Sequence, residues 1–301
     1  MLRDRLIFGS LFVVLLVGVV LGDAWLATLP RPAWLGGDER AFPPGVLIFV
    51  VVALVAWLAA LELTSILRDK GILASRGVNC AAAFAGLLVS GLTPTDATGV
   101  TAVAVAASVS AAVLGGSLMF FARHERAEGV VAGAGGALLA FIYLGLMLGF
   151  VLTIRRSHPA WLLLWVLAVT KSCDIGAYFV GRWLGRTKLI PWLSPGKTWE
   201  GLFGGVALAA ACGPAFLWLG ERIGEDTGLS VLSAVAAGAL FAVTGQIGDL
   251  LASLLKRDAG RKDSSRRLPG FGGVLDVIDS PLLVMPVAFW WLWIANGGIS
   301  A

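Results

Sequence analysis

Ser253-Leu-Leu-Lys256-Arg257-Asp258-Ala-Gly-Arg261-Lys262-Asp263-Ser-Ser-Arg266-Arg267-Leu-Pro-Gly-Phe271-Gly-Gly-Val-Leu-Asp276-Val277-Ile-Asp279 is the most charged stretch of an otherwise oily chain. Six basic residues and four aspartates crowd into it, and a Gly/Pro turn separates the basic part from Asp276 and Asp279. Apolar runs flank it at 229–251 and from 273–279 to 295. It therefore reads as a polar loop between two membrane spans. Asp276 and Asp279 are three apart, which places them on one face of a helix. Two carboxylates on one face suit Mg²⁺ when phosphate oxygens complete the shell. The neighbouring lysines and arginines would offset phosphate charge.

Composition supports the membrane reading. Of 301 residues, 58% are hydrophobic and 14% charged, against about 25% charged in an ordinary soluble domain. A span needs roughly 20 apolar residues. Runs of about that length recur at 6–29, 45–67, 78–92, 100–122, 130–154, 160–181 and 202–219, before the two beside the charged loop. The first run follows a basic N-terminus but is long for a cleaved signal, so it reads as a span. The fold expected is an all-α, polytopic integral membrane protein of about nine transmembrane helices. It forms one membrane domain over 1–301, with helices at 1–154 as scaffold and lipid-facing surface and 155–301 carrying the site.

Loop charge orients it. The loops at 68–77, 123–129, 182–200 and 252–272 hold fifteen Lys and Arg; those at 30–44, 93–99, 155–159 and 220–228 hold five. The positive-inside rule then places the N-terminus and both charged site loops in the cytoplasm. Arg155 and Arg156 are the discordant pair. The net charge of +4 is an orientation signal and not a nucleic-acid footprint.

Ionisable groups inside spans are functional candidates by default. Glu62 near the end of the second run either snorkels or faces the interior. Lys171 and Asp174 in the sixth run either neutralise one another or, the favoured reading, place Asp174 in a polar cavity. Asp249 closes the eighth run. The segment Ser194-Pro-Gly-Lys197-Thr198-Trp-Glu-Gly201 is not a Walker loop, because the upstream glycine is missing and no strand precedes it. Ser194, Lys197 and Thr198 still suit phosphate contact. Cys80, Cys173 and Cys212 show no zinc or disulfide spacing. His124 and His158 read as solvated loop residues.

The spaced motif resembles that of phosphatidate cytidylyltransferases, the CDP-diacylglycerol synthase family. Its signature, S-x-x-K-R-x4-K-D, then L-P-x-H-G-G, then D-R-x-D, is matched by Ser253, Lys256, Arg257, Lys262, Asp263, Leu268, Pro269, Gly272, Gly273, Asp276 and Asp279. Asp174-x-Gly176-Ala177-Tyr178, the Ser194–Gly201 segment and Gly248-Asp249 match further elements. Two positions depart: Phe271 stands for the histidine and Val277 for the arginine. Either Arg266 or Arg267 rebuilds those contacts, or the activity is reduced or altered.

The resemblance implies transfer of the CMP moiety of CTP to phosphatidic acid, forming CDP-diacylglycerol and pyrophosphate. It implies a catalytic set of Asp249, Lys256, Arg257, Lys262, Asp263 and Asp276. It also implies substrate contacts from Ser194, Lys197, Thr198, Ser253, Arg266, Arg267 and Asp174. The cofactor is Mg²⁺, with a second cation left open, held by Asp249, Asp276 and Asp279. The expected partners are CTP, phosphatidic acid and the bilayer of a bacterial-type inner membrane, with homodimerisation open and no nucleic acid. The alternatives are a divergent or inactive relative, and a secondary transporter with intramembrane carboxylates. A CDP-alcohol phosphotransferase is disfavoured, since its D-G-x2-A-R pattern is absent.

Overall fold

The computed structural model describes residues 2–31, 41–93, 99–123, 127–225, 227–268 and 270–296. The expected polar stretches at 32–40, 94–98 and 124–126, His124 among them, and the turn residue Pro269 lie outside these residues. Among the described residues the fold is all-α apart from one small hairpin. The helices are α1 (Leu2–Leu26), α2 (Val46–Asp69), α3 (Arg76–Leu92), α4 (Gly99–Ala122), α5 (Val130–Ser157), α6 (Ala160–Trp183), α7 (Trp199–Arg222), α8 (Val231–Asp258) and α9 (Val274–Ala295). All but α3 are long and apolar enough to cross a membrane. At 17 residues, α3 rises about 25 Å, less than the ~30 Å hydrocarbon core. Apolar side chains such as Val100, Val103 and Met119 stand outward on α4, as on a helix facing lipid.

The chain divides into two compact units. The first comprises Met1–Ala160 with Asp258–Leu275; the second comprises Trp161–Arg257 with Asp276–Ala301.

In the first unit, α2 supplies fully buried Ala59, Ala60 and Leu63. Helices α3 and α5 meet backbone to backbone at Gly86 and Gly145. A β-carbon on Gly86 would lie 2.9 Å from the Gly145 Cα, so neither position accepts a side chain. Small residues permit this approach where lipid offers no hydrophobic drive. Around that crossing α5 is π-helical, Ala140–Leu146. The discordant arginines are structural. Arg155 is buried and its Nε donates to Asp23 Oδ2 at 2.8 Å. Asp23 also accepts from the Gly45 and Leu47 amides at the start of α2. Arg156 donates to the Gly91 and Thr93 carbonyls at the end of α3, where a cation meets the negative end of the helix. His158 is half-buried instead of solvated, and its carbonyl accepts from Arg155. Burial lowers the pKa of its imidazole.

In the second unit, Trp165 is fully buried against Phe241 and donates to the Gly213 carbonyl at 2.9 Å, beside Pro214. Helix α9 is helical throughout, Pro281 and Pro286 included. The expected loop at 182–200 contains a hairpin, β1 (Lys188–Ile190) against β2 (Ser194–Thr198), antiparallel. The Gly-Lys-Thr triplet thus lies on a strand, which sequence reading did not expect. The strands are short and carry no strong alternation, so no periodicity announces them.

Candidate active site

The largest departure from sequence reading concerns the start of the charged stretch. Helix α8 does not end near Leu251 but runs to Asp258. Nothing from Leu251 to Asp258 breaks a helix, and Gly260, at φ +70°, follows its end in the left-handed region that favours glycine. Ser253, Lys256 and Arg257 are therefore helical residues. Asp249, Ser253 and Lys256, spaced four and three apart, share a face. Arg257 points away and is exposed.

That face belongs to a charged cluster assembled within the second unit from α6, β2, α8 and α9. Lys197 Nζ of β2 lies 2.8 Å from Asp249 Oδ2. Lys256 Nζ lies 2.5 Å from Asp276 Oδ1, and both side chains are nearly buried. Lys171 Nζ of α6 lies 3.1 Å from Asp174 and donates to the Val277 carbonyl at 3.3 Å. Ser253 Oγ donates to Asp249 at 3.4 Å. Asp279 is buried, accepts from the Ser280 amide and hydroxyl, and lies within hydrogen-bonding reach of Asp249. Lys171 and Lys256 are its electrostatic neighbours.

Glycines set these positions. A β-carbon on Gly248 would lie 2.6 Å from the Asp279 carbonyl, so α8 can approach α9 beside Asp249 only without a side chain there. Likewise a β-carbon on Gly176 would lie 3.0 Å from the Gly205 Cα, and one on Gly201 3.2 Å from the Gly181 Cα. These close approaches seat α6 on α7 and carry Asp174 and Lys171 toward the cluster.

The Ser194–Gly201 segment divides into parts with different work. Thr198 is buried and its Oγ1 accepts from the Gly201 amide, capping α7. Glu200 accepts from the Thr187 amide with both oxygens, holding the hairpin to the helix. Lys197 is the member that reaches the carboxylates, and Ser194 is half-buried at the far end of β2. Tyr178 is exposed, its hydroxyl accepting from Arg182.

Two anionic carboxylates in hydrogen-bonding contact repel unless they share a proton or a cation. Asp249 and Asp279 are such a pair, with one polar neighbour already a lysine. Among the described residues no three His, Cys, Asp or Glu side chains close into a set able to hold a metal ion alone. Asp276 is turned to Lys256 instead. A carboxylate pair that leaves most positions to water and phosphate fits Mg²⁺, which is usually held by one or two carboxylates and its substrate's phosphates.

The remaining expected site residues lie in the first unit. Lys262, Asp263, Arg266 and Arg267 are exposed on the segment between α8 and α9. Phe271 packs edge-on against Phe12, ring centres 5.8 Å apart. The segment is fastened to α2. Lys70 Nζ pairs with Asp258 at 2.6 Å, and Arg261 pairs with Asp69. Glu62 faces the interior. It is 2% exposed and accepts from Ser264 Oγ at 2.9 Å, Ser265 Oγ at 2.7 Å, and the Val274 and Leu275 amides at 3.1 and 2.9 Å. It thus caps the N-terminus of α9 from another helix. Sequence reading left Glu62 undecided and weighed Lys171 only as Asp174's partner. The available signal was an ionisable group inside an apolar run, which names a candidate without its partners.

The family model described as Cytidylyltransferase family matches residues 41–295. Over 137 residues the chain is 44% identical to a protein of Pseudomonas aeruginosa named phosphatidate cytidylyltransferase, covering 46% of this chain and 49% of that one. Over 156 residues it is 38% identical to a Bacillus subtilis protein of the same name, covering 51% and 56%. It is also 42% identical over 159 residues to the Escherichia coli (strain K12) protein named Uncharacterized protein YnbB, covering 48% and 51%. The chain spans about half the length of the curated relatives it matches. With a match over most of its length, and with the motif carboxylates and lysines gathered on four elements of one unit, the chain belongs to the cytidylyltransferase family.

Proposed function

We propose that this protein transfers the CMP moiety of CTP to phosphatidic acid, forming CDP-diacylglycerol and pyrophosphate. The observation that carries the reading is the convergence of Lys171, Lys197 and Lys256 on Asp174, Asp249, Asp276 and Asp279 within one unit. Relatives named phosphatidate cytidylyltransferase are 44% and 38% identical to the chain over 137 and 156 residues.

A phosphate oxygen of the lipid attacks the α-phosphorus of CTP. A new P–O bond forms, the bond from the α-phosphorus to the bridging oxygen breaks, and pyrophosphate leaves. The nucleophile is already an anion, so no serine, cysteine or histidine need be activated. What remains is alignment and charge neutralisation. Asp249 and Asp279 would hold Mg²⁺, which supplies charge neutralisation on phosphate oxygens. Lys197 and Lys256 offer ammonium donors to the phosphates of the two substrates. Asp276 holds Lys256 in place, and Asp174 does the same for Lys171. The acyl chains would remain in the bilayer while the headgroup enters from the cytoplasmic side, a reading that the loop charges support.

CTP labelled at the α-phosphate, incubated with phosphatidic acid micelles and Mg²⁺, should yield chloroform-soluble label. CTP labelled at the γ-phosphate should yield labelled pyrophosphate in water. Label from the γ-phosphate in the lipid would make the protein a kinase, and no lipid label from either would refute the reading.

A further inference from the structure

The first unit contains a polar cavity of its own. Its volume is about 190 Å³, and Arg76, Arg261 and Arg267 line it with Ser65, Ser264 and Glu62. We propose that this cavity binds a phosphate group, and that it does so whether or not the protein transfers cytidylyl groups. The arrangement is built. Arg261 is held by Asp69, by Ser65 Oγ at 2.9 Å and by the Ser264 carbonyl. Ser65, accepting from Arg261, keeps its own proton to donate. No acidic side chain pairs with Arg76 or Arg267 among the described residues.

The one carboxylate in the wall, Glu62, has both oxygens committed to four donors. Three guanidinium groups against Glu62 leave the wall cationic. With Asp69 counted against Arg261, one positive charge still remains. Guanidinium forks match phosphate oxygens in pairs, so these residue types favour a phosphate over a spherical anion. Size narrows the ligand further. Pockets for drug-sized molecules run to about 300–1,000 Å³. This one takes a phosphate headgroup and not a whole nucleotide. The group comes either from an anionic lipid or from free phosphate.

The test uses the full chain in detergent micelles. Binding of inorganic phosphate and of short-chain phosphatidic acid is measured, with diacylglycerol as the uncharged control. In Arg76→Gln/Arg267→Gln, binding should weaken by about tenfold or more, since each lost charge-assisted contact weighs heavily. The same loss should appear in an Asp249→Asn background, which separates this cavity from the proposed active site. Loss in both phosphate arms indicates a site that reads the bare group; loss with the lipid alone indicates a headgroup site. Arg76→Lys keeps charge without the fork and should weaken binding at an unchanged melting temperature, which covers failure of the double variant to fold. Binding unmoved by either arginine variant, or lost only with Asp249→Asn, overturns the proposal.

Discussion

Glu62 and Asp279 are carboxylates of similar burial, 2% and 6% exposed, in different units, and their surroundings are opposite. Glu62 has four donors for two oxygens. Asp279 has one neighbouring residue as donor and Asp249 in hydrogen-bonding contact. The first is fully satisfied and has nothing left to bind. The second is left with repulsion that a cation or a proton must relieve. Depth in an apolar helix therefore does not separate a structural charge from a chemical one; the count of satisfied oxygens does. Asp23, with Arg155 and two amides, falls with Glu62.

Substitutions can break this contrast. Asp249→Asn and Asp279→Asn should each lower CDP-lipid formation about a thousandfold, a loss typical of removing one element of transition-state charge stabilisation. The folded protein should persist by size-exclusion chromatography. Chelating divalent ions should abolish product in the wild type. Normal turnover after chelation would remove the reason for the carboxylate pair. Asp276→Asn should also abolish turnover while the protein stays folded, because Lys256 loses its partner. Near-normal product from it would refute the alignment role.

Glu62→Gln should leave chemistry largely intact in the protein that remains folded, yet lower stability by roughly 2 kcal/mol as charge-assisted bonds are lost. Thermal unfolding in detergent reads this. A large kcat effect without a stability loss would place Glu62 with the chemical group instead. Thr198→Ala should cost about 1 kcal/mol as a lost helix cap and leave the KM for CTP unmoved. A raised KM would return Thr198 to the substrate contacts. The smallest effect is expected from Phe271→His. It should gain no activity and lose about 1 kcal/mol, because the ring at that position packs on Phe12.

Much of the fold is legible before any coordinates. Apolar runs of about 20 residues can be satisfied in a membrane only as helices, and α1, α2 and α4 to α9 follow them. The same pattern misplaced the end of α8, because polar and charged residues from Asp249 onward interrupt an apolar run without ending a helix. Charge counts likewise treated Arg155 and Arg156 as loop residues, since a count is blind to the partner that a charge finds.

Residue type and spacing, read alone, determined the membrane class, the family resemblance and which carboxylates and lysines were candidates, because those follow from local chemistry along the chain. Only the tertiary structure decided that Lys197 meets Asp249, that Asp279 neighbours Asp249 while Asp276 pairs with Lys256, and that Glu62 caps α9. Each of those depends on partners far away in sequence. Glycines that let backbones touch, and the direction in which each side chain leaves its helix, bring them together.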